Sequence, residues 1–436
     1  MKIFIKDPLI LDYKDQEKQF HPYRANIVIE DDQIADITND LPADLSVFDE
    51  IIHASHCVAL PGLINAHNHS PMSLLRSFSD DLRLMEWLNR KMLPAEANMN
   101  QEDIYWGALL GIAEMIKSGT TAYADMYIHM DQIAQAVHDS GIRASLTRGL
   151  VFLDDDGGPR LREGIDLVKS WSGKADGRIT TMMGPHAPYT CPPDQLKEVM
   201  EIAKELQVPI HIHLAETQEE AEKINHKYGK SPTEYLYDLG LFDGDYHVLL
   251  AHAVHLDDHD IALLQNMKGG LAHNPFSNMK LGCGIAPVYS FLEKGILVGL
   301  GTDGAGSATS LDLFKEMKMA SGLQKLDRFD PAIINAHTIL QMATINGSTL
   351  LQMDHQVGRI EVGKKADLIL VNIHQPHLVP HHDLVSLLVY SAFGQDVVTT
   401  IVNGKILMKN RELLTIDEER LLYEAHQRAK RIVEGI

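Results

Sequence analysis

Short apolar runs alternating with longer stretches of helical spacing fill the middle of this chain, and the pattern changes at both ends. Candidate strands fall near 58–66, 120–126, 142–150, 178–185, 208–214, 247–252, 269–273 and 296–302, each followed by a segment that can hold a helix. Such alternation marks βαβ units and a parallel sheet, and eight units predict a (β/α)8 TIM-type barrel over residues 58–355. The clearest helix is Glu102–Lys117, where Ile104, Ala108, Leu109, Ile112, Met115 and Ile116 form an apolar stripe that Ser118-Gly119 ends. Residues 70–100, before that helix, are far longer than an ordinary βα loop and are expected to form an active-site lid.

The ends read as β-rich pieces: Ala25-Asn-Ile-Val-Ile-Glu and Gln33-Ile-Ala-Asp-Ile early, then Ala366-Asp-Leu-Ile-Leu-Val and Val397-Val-Thr-Thr-Ile-Val-Asn-Gly late. They predict a small composite β-sandwich domain, 1–57 plus 356–436, with a terminal helix at about 417–434 whose Leu421, Leu422, Ala425, Ala429 and Ile432 share a face.

Composition narrows the function. The 436 residues carry 39 basic and 60 acidic side chains, a net charge of −21, which repels phosphate backbones and anionic membranes. Nucleic acid and membrane are therefore not expected as partners, whereas a small-molecule substrate is; a homo-oligomer is compatible with the sequence. No long apolar run and no leader-like start is present, so a cytoplasmic location is expected. Cys57, Cys191 and Cys283 are three and far apart, which disfavours a disulfide framework or a cysteine zinc site.

In such a barrel the chemistry sits at the C-terminal ends of the strands, and here those ends are polar. His67 and His69 close strand 1, Arg148 strand 3, His186 strand 4, His213 and then Glu216 strand 5, His252 strand 6, His273-Asn274 strand 7 and Asp303 strand 8. Alternate residues of an extended segment share a direction, so His67 and His69 can face one ion. The pair alone is close to chance among 23 histidines; position gives it weight. Three imidazoles and a carboxylate suit a catalytic Zn²⁺ or Fe²⁺, and His67, His69, His213 and Asp303 are the expected ligands. Glu216 also reads as a first-turn carboxylate of the following helix, because acids favour helix N-termini. Met72, Met85 and Met92 fall in the expected lid, either as core filler or as the lining of a thioether pocket.

Pro61-Gly-Leu-Ile-Asn-Ala-His-Asn-His, His213-Leu-Ala-Glu216, Leu250-Ala-His252, His273-Asn-Pro-Phe-Ser-Asn-Met-Lys-Leu and Gly301-Thr-Asp303 together resemble the amidohydrolase superfamily over nearly the whole chain. His186 stands where binuclear members carry a carboxylated lysine, so the resemblance implies a single divalent ion, zinc first, with iron or manganese as alternatives. Trp87-Leu, Pro94-Ala-Glu96-Ala and Gly184-Pro-His-Ala-Pro-Tyr are similar to the 5-methylthioadenosine/S-adenosylhomocysteine deaminases. That likeness implies hydrolytic deamination of an adenine ring to an inosine-type product and ammonia. It implies Glu216 as proton carrier and substrate contact, His252 orienting the attacking water, and Asp303 as both ligand and base. Glu96 would bind the ribose hydroxyls, His186 would lie near the base, and Arg148 near the ribose or the amino-acid end. Rival readings are deamination of guanine or cytosine, triazine hydrolysis on the same site, and a barrel that keeps the fold without the chemistry.

Overall fold

The computed structural model describes residues 1–153 and 158–436. Eight parallel strands run Leu63–Asn68, Thr120–Tyr127, Arg143–Leu150, Ile179–Pro185, Ile210–Leu214, Val248–His252, Gly269–His273 and Leu297–Leu300, each hydrogen-bonded to the next in chain order. The first and last come together where the Asp303 N–H donates to the His67 carbonyl at 3.0 Å, so the sheet curls into the expected barrel. All eight residues of Thr120–Tyr127 and all five of Ile210–Leu214 are buried, as strands covered by helices outside and by side chains within must be.

The run expected as one strand near 58–66 is two. Cys57–Pro61 joins a seven-stranded sheet and Leu63–Asn68 opens the barrel, with Gly62 between them. A Cβ on Gly62 would lie 1.9 Å from Thr121 Oγ1, so only glycine lets the chain cross between the sheets here. The apolar run is unbroken across this position, which hides the change of sheet from periodicity.

The chain ends supply two further sheets. Lys2–Lys6, Asn26–Glu30, Gln33–Thr38 and Glu50–His53 form one of four strands; Leu9–Lys14, Gln19–Arg24, Cys57–Pro61, Leu368–Asn372, Val397–Val402, Lys405–Lys409 and Glu412–Leu413 form one of seven. Ile3, Ile5, Ile27 and Ile29 from the first pack against Ile10, Ala59, Leu368 and Ile401 from the second. At the N-terminal end of the barrel, Arg143 is locked to Asp367 by Nε to Oδ2 at 2.9 Å and by a second nitrogen to Oδ1 at 3.0 Å. Asp367 also accepts the Asn403 N–H at 2.7 Å, so this one carboxylate ties the barrel to the seven-stranded sheet.

The helix Gln101–Lys117 starts on a capping box between Asn100 and Asp103 and buries Ile104, Ala108, Ile112 and Ile116. The terminal helix Glu418–Ile432 lies against it through Arg428 and Arg431, which both reach Asp103. Residues of the expected lid are helical: Ser70–Leu75, then Leu84–Trp87, Leu88–Met92 and Leu93–Ala97, which follow one another directly with a π turn in the middle. Among the described residues no helix is long and apolar enough to cross a membrane.

Candidate active site

At the barrel mouth the His69 Nε2 lies 3.2 Å from Asp303 Oδ1, the His67 Nε2 3.6 Å from the same oxygen, and the His213 Nε2 3.4 Å from His69 Nε2. The far side of each ring is anchored. His69 Nδ1 donates to the Met126 carbonyl at 2.5 Å and His213 Nδ1 to the His186 carbonyl at 2.8 Å. His67 Nδ1 lies 2.9 Å from His211 Nε2, and His211 Nδ1 3.5 Å from Thr147 Oγ1. A carbonyl only accepts, so those two Nδ1 atoms carry the protons and the Nε2 lone pairs turn inward.

Burial reinforces this. It lowers the His67 imidazole to about 3 and holds His213 well below its ordinary value, so both are neutral. His67 Nε2 is buried with no hydrogen-bond partner among the described residues, an uncompensated lone pair facing its neighbours. Ligand atoms of His67, His69 and His213, and of His67, His252 and Asp303, each lie within 4.8 Å of one another. Three inward imidazole nitrogens and one carboxylate oxygen are the donor set of a four-coordinate divalent centre, and the residues fit it.

Asp303 is held by its other oxygen: Oδ2 accepts from Ser277 Oγ at 2.6 Å and Ser307 Oγ at 2.9 Å, while the Gly304 N–H bonds Oδ1. Burial works against its charge, but His67, His69 and His252 outweigh burial and keep the carboxyl well below the usual range. Gly301 shows how tight the approach is, since a Cβ there would sit 2.3 Å from Asn274 Oδ1 and 2.9 Å from the His67 nitrogen.

Glu216 lies outside the helix it precedes. Thr217 caps that helix, Gln218–Tyr228, by accepting the Glu220 N–H, and the first-turn acids are Glu219 and Glu220. Released from capping, the Glu216 carboxylate stands 3.8 Å from His252 Nδ1 and 3.9 Å from Cys283 Sγ. Burial raises its pKa, against the pull of His252, so the group holds a proton more readily than an exposed glutamate. His252, in the left-handed region at φ 74°, donates Nδ1–H to Asn278 Oδ1 at 2.8 Å. Burial opposes its charge, yet Glu216 and Asp303 raise its pKa. The segment 275–283 thus touches Asp303 through Ser277, His252 through Asn278 and Glu216 through Cys283.

Of the other expected residues, Glu96 is half-buried and accepts from Tyr127 OH at 2.7 Å; burial raises its pKa against that bond. The His186 ring centroid is 4.8 Å from that of His213, and Nδ1 is 3.0 Å from Thr190 Oγ1. Arg148 does not join the histidine cluster: its Nε donates to Glu163 at 2.7 Å on the following helix, Pro159–Trp171. Met85 lines a cleft beside Glu216 with Leu84 and Tyr189, whereas Met72 and Met92 are core residues packed near Gly306. Ser277, Asn278, Tyr127 and Glu220 join the site without a role legible in the sequence; the first two lie inside the motif that begins at His273, the one signal there for them.

Fold and site together define a barrel hydrolase whose His/Asp cluster supports a divalent metal centre at the strand ends. The amidohydrolase family model matches residues 58–407, and the chain belongs to that family. It is 48% identical to the 5-methylthioadenosine/S-adenosylhomocysteine deaminase of Carboxydothermus hydrogenoformans, over 100% of this chain and 99% of the relative. Among solved structures it is similar to an adenosine deaminase from Xanthomonas campestris with bound zinc, at 30% identity and a TM-score of 0.91, covering 99% of this chain and 98% of the other. A triazine hydrolase from Arthobacter aurescens shares the fold, with a TM-score of 0.89 at 24% identity over 98% of this chain and 99% of its own.

Proposed function

We propose that this protein hydrolytically deaminates the adenine ring of 5′-methylthioadenosine and S-adenosylhomocysteine, and also of adenosine, giving the inosine-type product and ammonia. The observation that carries the reading is the placing of a buried Glu216, its pKa raised by burial, 3.8 Å from His252 beside the His67, His69, His213 and Asp303 donors. Full-length identity of 48% to a deaminase of those two nucleosides supports the substrate class.

In this reading His67, His69, His213 and Asp303 would hold one divalent ion, zinc. When bound, such an ion supplies Lewis-acid activation of a water at neutral pH. Asp303, already ionised, takes the proton the water gives up. His252, fixed by Asn278, orients that water toward the purine carbon bearing the amine. Glu216 delivers its proton to the adjacent ring nitrogen, so negative charge does not build on the ring, and general acid help of this kind contributes about 10²–10⁴-fold. The C–N bond then breaks, and the carboxylates return a proton to the departing ammonia. Tyr127 holds Glu96 for the ribose hydroxyls, and His186 borders the base. Arg148, paired with Glu163 on the following helix, is left to the outer, ribose or amino-acid end of the substrate in this reading.

Ammonia release from adenosine compared with free adenine tests the reading through Glu96. A strong preference for the nucleoside, abolished in Glu96→Gln, is expected; equal rates on both, or a preference for guanine, cytosine or a triazine, would refute it.

A further inference from the structure

Among the described residues three α-helices begin with a reciprocal capping box: Asn100 with Asp103, Ser231 with Glu234 and Asp257 with Asp260. In each, the acid three residues on bonds back to the N–H of the capping residue itself. The helix after Glu216 departs from that pattern. Thr217 Oγ1 accepts the Glu220 N–H at 3.2 Å, but the Glu220 carboxylate passes over the Thr217 nitrogen. Its Oε1 accepts the Ala215 N–H and its Oε2 the Glu216 N–H, both at 3.0 Å.

These two peptides need holding. Ala215 sits in the left-handed region at φ 48°, a conformation that a residue with a Cβ rarely adopts and that persists only where the surroundings enforce it. The Ala215 carbonyl is bound by Val254 N–H at 3.1 Å and His255 N–H at 3.0 Å, so its peptide is clasped from the sixth strand end on one side and by Glu220 on the other. His252 and Ala253, at φ 74° and 50°, turn in the same sense, and the two kinked strand ends aim Glu216 and His252 at each other. Glu220 is itself 4% exposed, a buried carboxylate whose two oxygens are both spent on this one bend.

We propose that Glu220 is a positioning residue for Glu216: its carboxylate fixes the 215–216 bend that sets the proton-carrying carboxyl against His252 and the base. The inference rests on the reading of Glu216 as proton carrier. Glutamine at 220 keeps one acceptor and turns an amide N–H against the other backbone N–H, so the bend loses one of its two clasps.

The test is steady-state kinetics of metal-replete Glu220→Gln on 5′-methylthioadenosine, with metal content and Tm measured on the same sample. kcat is expected to fall about tenfold or more, with KM within about twofold and full metal content, because a misaimed proton carrier affects the reaction rather than binding. Glu234→Ala, which removes the reciprocal bond of a capping box on another helix, should lower Tm and leave kcat unchanged. In a Glu216→Gln background the further change Glu220→Gln should cost nothing more, since the residue it positions is gone. Full kcat in Glu220→Gln, or losses that multiply in the double variant, would overturn the proposal. If Glu220→Gln does not accumulate folded, Glu220→Asp, which keeps the charge but shortens the reach, gives the same reading: reduced kcat supports the proposal and full kcat overturns it. Full turnover in Glu216→Gln alone would instead remove the reading on which the proposal stands.

Discussion

Ser277 Oγ donates to Asp303 Oδ2 at 2.6 Å, which leaves Oδ1 turned toward His67 and His69. A ligand oriented this way depends on its supporting hydrogen bond, and loss of such a partner costs about 10–100-fold in metal affinity or activity. Ser277→Ala should therefore bind zinc about tenfold more weakly in a competition titration with a chelator, the second donor Ser307 limiting the loss. Unchanged affinity would mean that Ser277 does not orient Asp303.

Glu216→Gln separates proton transfer from metal binding. The variant should keep its metal and lose about 10²–10⁴-fold in kcat. His67→Ala should lose the metal and with it the activity. Elemental analysis beside the activity assay distinguishes the two, and stoichiometric metal in His67→Ala would remove His67 from the ligand set.

The Arg143–Asp367 pair is buried at both ends, with side chains 2% and 0% exposed. Breaking such a pair by removing one partner costs about 3–5 kcal/mol, because the other charge stays buried without compensation. Arg143→Met should lower the unfolding free energy by that order and the denaturation midpoint with it, while the folded fraction keeps its kcat, since the pair lies at the barrel end away from the site. A midpoint close to that of the unaltered protein would show the interface carries little of the stability.

Glu316 is fully buried; its Oε2 accepts the Phe276 N–H at 3.0 Å and its Oε1 has no partner among the described residues. Burial raises its carboxyl from 4.5 to about 8, against the Phe276 bond and Lys315, which lower it. A group raised on folding binds its proton more tightly in the folded state, so stability falls as pH rises from about 4.5 to about 8. Glu316→Gln removes that dependence. Its Tm relative to the unaltered protein should be higher at pH 8.5 than at pH 5, and a difference independent of pH would contradict the assignment.

Much of this architecture can be read from the chain because parallel strands covered on both faces appear as apolar runs, and Val248–His252 and Gly269–His273 are such runs ending in a histidine. What periodicity conceals is a change of sheet inside one apolar run, as at Gly62. Facing is harder still at strand ends. Thr147 turns into the barrel beside His211, so Arg148 next to it turns out to Glu163; strict alternation would have told the two apart. Glu220 and Ser277 are hidden for another reason. Each sits at a position where a capping or surface residue is ordinary, and only the folded contacts show that one holds the Glu216 backbone and the other a ligand carboxylate.

The most direct test of the account is the stoichiometry of ammonia released per 5′-methylthioadenosine consumed by the zinc-loaded protein. One ammonia for each nucleoside, with ribose and thioether intact in the product, is the expected result. No ammonia from any adenosine derivative, alongside turnover of a free base or a triazine, would contradict it.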